Sequence, residues 1–195
     1  MLISMIVLLI GKIKSGKSLA AKILCDEFKL TEAAFAQPIK DFAISIGFNH
    51  DQVYGNQDQK LEINEFWGIS GREFLQKFGT EVCRDTLPDI IPNMNMNGLQ
   101  LHARIMEKKI LDNRNKGIVI SDGRFIDEIT LIKKYNGIVI KLVRDDNTHI
   151  DTHSSEKQID NLPYDNIIYN NGTIQQLRDK LVDIIKLTQS DQINI

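Results

Sequence analysis

Gly11-Lys12-Ile13-Lys14-Ser15-Gly16-Lys17-Ser18 is a complete G-x4-G-K-[ST] match. Before it lies a nearly uninterrupted apolar run, Ile3–Ile10, the pattern of a parallel strand covered on both faces. After it, Lys17–Phe28 places Leu19, Ala20, Ile23, Leu24 and Phe28 on one helical face. Strand, glycine-rich turn and helix in that order form a phosphate-binding context. The glycines permit positive φ, so that backbone N–H groups converge on phosphate oxygens. The helix adds its positive N-terminal dipole. Lys17 can reach the β- and γ-phosphates, and the Ser18 hydroxyl can ligate Mg²⁺. The donor-nucleotide site is therefore expected at Gly11, Lys14, Ser15, Gly16, Lys17, Ser18 and Leu19. A glycine turn that matches by chance would lack the flanking strand and helix.

Working outward, the chain has 195 residues, 42% of them hydrophobic and 26% charged, which is the globular range rather than the disordered one. That length buries about 70% of the surface an unfolded chain exposes, so no disulfide or structural metal is required. The net charge is −2, which disfavours a dedicated nucleic-acid binder. Cys25 and Cys83 form no CxxC pair, and a reducing, cytoplasmic setting follows; for a viral protein this would be the host cytoplasm. The apolar opening lacks a basic start and a small-residue cleavage site and is too short to span a bilayer as a helix, so no membrane partner is expected.

The remaining pattern alternates strands and helices. A short strand is expected at Ala33–Ala36, a helix from Pro38 to about Ile46 and an irregular surface excursion over 49–69. Helical patterns follow at Ser70–Phe78, Thr80–Asp85 and Leu99–Asn113. Strands are expected at Gly117–Ser121, Gly137–Val143 and Asp165–Tyr169, and helices at Phe125–Tyr135 and Thr173–Thr188. This order implies an α/β layered, parallel sheet with right-handed crossovers: a three-layer P-loop NTPase fold in one domain. Its core would run over about 1–48 and 99–195, with a helical substrate-binding insertion over about 49–98 and a lid over about 144–161.

Gly117-Ile118-Val119-Ile120-Ser121-Asp122 is an apolar run ending in a carboxylate, as in a strand that sets an Asp beside the phosphate loop to hold Mg²⁺. The plainer role for Asp122 is to cap the next helix, and both can hold. The chain carries 17 lysines but only 7 arginines, so each arginine marks a place where a planar, bidentate fork could matter. Arg124 lies just past Asp122, Arg144 ends the next strand, Arg72 opens a helix after a glycine, and Arg84 follows it. Arg104, Arg114 and Arg178 read as surface charges. GTPase base-reading and switch motifs are missing, and so are the signature motifs of motors and transporters; a small kinase remains.

With these residues assembled, the sequence resembles the phage- and virus-type deoxynucleoside monophosphate kinases of the P-loop superfamily. Four segments carry the resemblance: the phosphate loop; Gly71-Arg72-Glu73-Phe74-Leu75-Gln76-Lys77-Phe78-Gly79-Thr80-Glu81 with Arg84; Ser121-Asp122-Gly123-Arg124-Phe125 with Glu128; and Asp151-Thr152-His153-Ser154-Ser155-Glu156. The resemblance implies transfer of the ATP γ-phosphoryl group to a deoxynucleoside 5′-monophosphate. It implies catalytic roles for Lys17, Asp122, Arg124 and Arg144, and Mg²⁺ on Ser18 and Asp122. For the acceptor it implies Lys40, Trp67, Arg72, Gln76, Arg84, Arg124, His153 and Glu156. Small-molecule nucleotides would be the partners, and a homodimer stays open.

Three positions depart from the family pattern. Gly123 stands where an apolar residue is expected, Asp127 where Asn is expected, and the lid holds only Arg144, with Lys157 beyond it. Arg144 is the first choice for the cation on the transferring phosphoryl group, with Lys14 the second. Phe66, Trp67 and Phe74 could stack on a base or fill a core. His149 and His153 are four apart but lack a third metal ligand. Two alternatives stay open: a kinase of another phosphorylated metabolite, as in animal-type phosphomevalonate kinase, and a non-catalytic nucleotide-binding module.

Overall fold

The apolar runs form the strands of one parallel sheet. In the computed structural model, which describes residues 5–113, 115–145 and 159–193, these are β1 (Ile6–Ile10), β2 (Thr31–Ala33), β3 (Ile118–Gly123), β4 (Ile138–Val143) and β5 (Asn166–Tyr169). Their order is β2-β3-β1-β4-β5, and every pairing is parallel. All five residues of β1 are buried, as a central strand covered on both faces must be. The helices of this part are α1 (Lys17–Phe28), α7 (Leu101–Asp112), α8 (Ile126–Lys134) and α9 (Ile174–Ile193).

Side-chain alternation along β1 divides the core between two faces. Val7 and Leu9 pack with Ala20, Ala21 and Leu24 of α1 and with Leu177, Leu181 and Ile185 of α9. The small Ala20 and Ala21 let α1 lie close to the sheet. Leu8 and Ile10 point the other way, toward Gly123. Gly123 is one of the departures from the family pattern, and the geometry explains it: an added Cβ would come within 2.7 Å of Leu8 Cδ1 and 2.9 Å of Ile10 Cγ2. Gly123→Val should therefore overpack the centre of the sheet, at a cost of about 1–3 kcal/mol. That lowers the thermal midpoint by roughly 3–10 °C. An unchanged midpoint in calorimetry would show that Leu8 and Ile10 yield freely.

The chain divides into two compact units, Met1–Ala34 with Glu107–Ile195, and Phe35–Met106. The second unit is helical: α2 (Gln37–Ser45), α3 (His50–Tyr54), α4 (Gln57–Leu61), α5 (Gly71–Lys77), a π-helical segment (Phe78–Thr86) and α6 (Leu87–Ile90), with α7 beginning at its end. Its core is built on Ala43, Phe48 and Val53, with Phe74 and Leu75 packed against them. Phe74 stacks with Phe78 at 5.2 Å and lies tilted against Phe48 at 5.0 Å. Of its two expected roles, Phe74 takes the core one.

Three local expectations need correction. The excursion over 49–69 is not irregular throughout, because Asn49 with Gln52 and Asn56 with Gln59 make reciprocal capping boxes that start α3 and α4. The second strand comes earlier than Ala33–Ala36, since Thr31–Ala33 pairs with β3 and the chain then turns into α2. No break separates Ser70–Phe78 from Thr80–Asp85, because the helix continues through Gly79 in π geometry. Both cysteines are thiols. Burial pushes each thiol up, with Glu32 and Asp26 adding to the effect at Cys25, so neither is an activated nucleophile. No helix among the described residues is long and apolar enough to cross a membrane.

Candidate active site

The phosphate loop leaves β1 at the carboxyl edge of the sheet, where open α/β sheets bind ligands. Its turn requires left-handed backbone at three positions: Gly11 has φ 149°, Lys14 φ 64° and Gly16 φ 103°. Gly11 tolerates no side chain, since a Cβ there would lie 2.3 Å from the Leu142 carbonyl oxygen and 2.7 Å from Ser15 Oγ. The Lys17 ammonium donates to the carbonyl oxygens of Gly11 at 2.6 Å and Lys12 at 2.8 Å, so it lies folded over the turn. Ser15 is 1% exposed, and among the described residues its Oγ has no hydrogen-bond partner. A buried hydroxyl without a partner is costly. Here it sits among the positive-φ residues of a cradle whose motif suits a phosphate, and these residues fit a triphosphate tail.

Neighbouring strands supply the other charged groups of this unit. Ile10 of β1 registers with Gly123 of β3 and with Lys141 of β4, so both strands end near the level of the loop. β3 runs on through Gly123, which places Asp122 inside its last turn of pleat rather than at its end. Arg124 follows immediately, in the turn into α8. That turn is fixed by Glu128, which is 2% exposed and accepts from the Arg124 N–H at 2.7 Å and the Phe125 N–H at 3.1 Å. Glu128 thereby serves the helix start as a capping residue. Arg144 lies one residue beyond β4 and is exposed.

Sequence reasoning missed three further groups around the loop. Asn170, just after β5, donates from Nδ2 to the Ser15 carbonyl oxygen at 3.0 Å, and its amide fills the space that a Cβ on Gly16 would need. Lys12 pairs with Asp160 at 2.7 Å, and buried Lys141 donates to the Asp160 carbonyl oxygen at 2.9 Å. Ser121 donates to Glu32 at 2.8 Å between β3 and β2. No sequence motif marks these contacts, because their partners lie far apart along the chain.

The second unit holds the other expected acceptor residues. Arg72, Gln76 and Arg84 lie on the continuous helix from α5 to α6. Arg72 donates to the Gln57 side-chain oxygen at 2.8 Å. Lys40 of α2 has its ammonium 5.1 Å from the centre of the Tyr54 ring. Trp67 donates from its indole N–H to the Ile46 carbonyl oxygen at 2.9 Å and meets Phe66 edge-on, and Phe66 itself is 83% exposed. His149, His153, Glu156, Lys157 and most of the expected lid lie outside the described residues.

With this geometry in place, comparison with known proteins decides the family. The sequence model described as "Deoxynucleotide monophosphate kinase" matches residues 46–181. The chain belongs to the deoxynucleotide monophosphate kinase family. A protein of Acanthamoeba polyphaga mimivirus named "Putative deoxynucleotide monophosphate kinase" is 34% identical over 181 residues, covering 91% of this chain and 94% of its own. Among solved structures, shikimate kinase from Aquifex aeolicus matches with a TM-score of 0.50 at 10% identity, over 93% of this chain and 96% of that one. Dephospho-CoA kinase from Campylobacter jejuni gives 0.49 at 14% identity, over 95% of this chain and 98% of that one. At 10% identity the likeness to shikimate kinase concerns the fold: a parallel sheet flanked by helices. Membership of the deoxynucleotide monophosphate kinase family makes the chain a phosphotransferase with a nucleotide-binding P-loop.

Proposed function

We propose that the protein transfers the γ-phosphoryl group of ATP to a deoxynucleoside 5′-monophosphate, giving ADP and the diphosphate. The observation that carries this reading is the phosphate cradle, with its buried, unpartnered Ser15 hydroxyl, on the same sheet edge as Asp122 and Arg124. Lys17, Lys14 and the loop amides of Gly11–Ser18 would hold the β- and γ-phosphates. Ser18 and Asp122 would hold Mg²⁺, which supplies charge neutralisation across the phosphate oxygens when bound. Among the described residues no three His, Cys, Asp or Glu side chains gather into a metal site; a Mg²⁺ held by one or two protein oxygens and the substrate's phosphates needs no such group.

Arg124 would grip the acceptor phosphate, its turn held rigid by Glu128, while Arg72 and Arg84 bind the acceptor nucleotide. Arg144, at the root of the proposed lid over 144–161, would neutralise the charge that spreads over the transferring group. Phosphoryl transfer asks for positioning and charge stabilisation more than for covalent help. No general base is needed, because the acceptor phosphate is already ionised at neutral pH. We place the acceptor-binding insertion within about 49–98 and the nucleotide core in the remainder.

A coupled ADP-release assay across dAMP, dCMP, dGMP, dTMP and phosphomevalonate tests the reading. Turnover is expected with at least one deoxynucleoside monophosphate and not with phosphomevalonate. Turnover with phosphomevalonate alone would make it a metabolite kinase, and turnover with none of them would leave a nucleotide-binding module.

A further inference from the structure

On two sides of the helix that carries Arg72 the environment repeats every four residues, which an α-helix at 3.6 residues per turn cannot sustain. Gly71, Leu75, Gly79, Cys83 and Leu87 form an inward line in which Gly71 and Cys83 are buried and the others are half-buried. The next line begins at half-buried Glu73 and continues through exposed Lys77, Glu81, Asp85 and Asp89. Between them, Arg72, Gln76, Thr80 and Arg84 are all half-buried.

The four-residue repeat has a specific origin. α5 occupies Gly71–Lys77, and π geometry takes over for Phe78–Thr86. The Leu87 N–H donates to the Val82 carbonyl oxygen, five residues back. An α-helix turns by about 100° per residue, which over twelve residues would leave Arg84 about 120° around the axis from Arg72. A π-helix turns by only about 80° per residue. Six steps of each kind bring Arg84 back to within about 20° of Arg72. A nine-residue π-segment is unusual, since π-geometry occurs mostly as single-turn bulges, frequently at functional sites.

The chemistry of the aligned face is also distinct. Arg72 and Arg84 offer bidentate donors for phosphate, Gln76 offers both a donor and an acceptor, and Thr80 offers a hydroxyl. No carboxylate stands in this line, whereas the exposed line beside it carries Glu81, Asp85 and Asp89. Arg72 also donates to the Gln57 side-chain oxygen.

We infer that Arg72, Gln76, Thr80 and Arg84 form one binding face for the nucleoside monophosphate, with the π-helix as the device that aligns it and Thr80 as an additional specificity-determining residue. This rests on the acceptor assignment proposed above. Arg84 reaches that face only because the helix is overwide between Phe78 and Thr86.

Steady-state kinetics with ATP and the best deoxynucleoside monophosphate test it. Thr80→Val should raise the KM for the monophosphate about tenfold and leave the KM for ATP within twofold, with Thr80→Ser restoring most of the loss. Asp85→Asn, on the exposed line, should change neither. Inserting one alanine after Val82, which is 41% exposed, adds a further step of about 80° between Arg72 and Arg84 and should raise the monophosphate KM at least a hundredfold while ATP binding persists. If the insertion prevents folding, the Thr80 and Asp85 pair decides alone. Equal effects at Thr80 and Asp85, or none at either, would overturn the aligned face while wild-type turnover upheld the kinase reading. A wild-type protein that turned over no monophosphate would overturn the kinase reading and this face together.

Discussion

Lys17→Ala is expected to lower kcat by about 10²–10³-fold or more, the range seen when one donor that stabilises developing charge is removed. The ammonium already sits over the turn, donating to the Gly11 and Lys12 carbonyl oxygens at 2.6 and 2.8 Å. Its position is therefore set before any phosphate arrives, so little reorganisation is needed as charge moves between the two nucleotides. Alanine keeps helical geometry at the start of α1, being the best helix former. The fold should stay intact, with a thermal midpoint within a few degrees of wild type. Lys17→Arg should not restore activity, because a planar fork cannot take the place of a compact ammonium in so tight a turn. Coupled ADP release with saturating substrates is the measurement, and a kcat within threefold of wild type would remove the donor-site assignment.

Arg124→Ala should lower kcat/KM for the monophosphate by about 10²–10⁴-fold, combining lost acceptor binding with lost charge stabilisation. The KM for ATP should move less than threefold. The asymmetry is expected because the backbone of the turn does not depend on the Arg124 side chain: Glu128 holds the main-chain N–H groups of Arg124 and Phe125, and those bonds survive the substitution. Arg124→Lys should recover only part of the activity, since an ammonium restores charge but not the paired N–H groups. Parallel titrations of ATP and monophosphate provide the test. Equal losses on both sides would move Arg124 to the donor.

The parts of the site that could be read along the chain are those made by neighbouring residues. The phosphate loop, the strand before it and the helix after it all follow from continuous residues, Ile6–Phe28, so pattern and motif agree. The strand that carries Asp122, with Arg124 just past its end, is legible for the same reason. The two capping boxes of Asn49–Gln52 and Asn56–Gln59 are equally local, yet the surrounding residues have no apolar period that would mark helices there. The Asp160 tie to Lys12 and the Asn170 brace on Ser15 had no local sign at all. Each joins the loop to a residue about 150 positions away.

Composition, periodicity and one loop motif were enough to determine a parallel α/β sheet with a phosphate cradle at its carboxyl edge, because short-range sterics and hydrophobic period govern strand, turn and helix one at a time. Tertiary structure decided how that cradle is held and which residues share a face. Asn170 presses on Ser15, Gly123 gives room to Leu8 and Ile10, and the π-segment between Phe78 and Thr86 rotates Arg84 into line with Arg72. These depend on packing between distant segments and on helix phase, and neither is written in any run of adjacent residues.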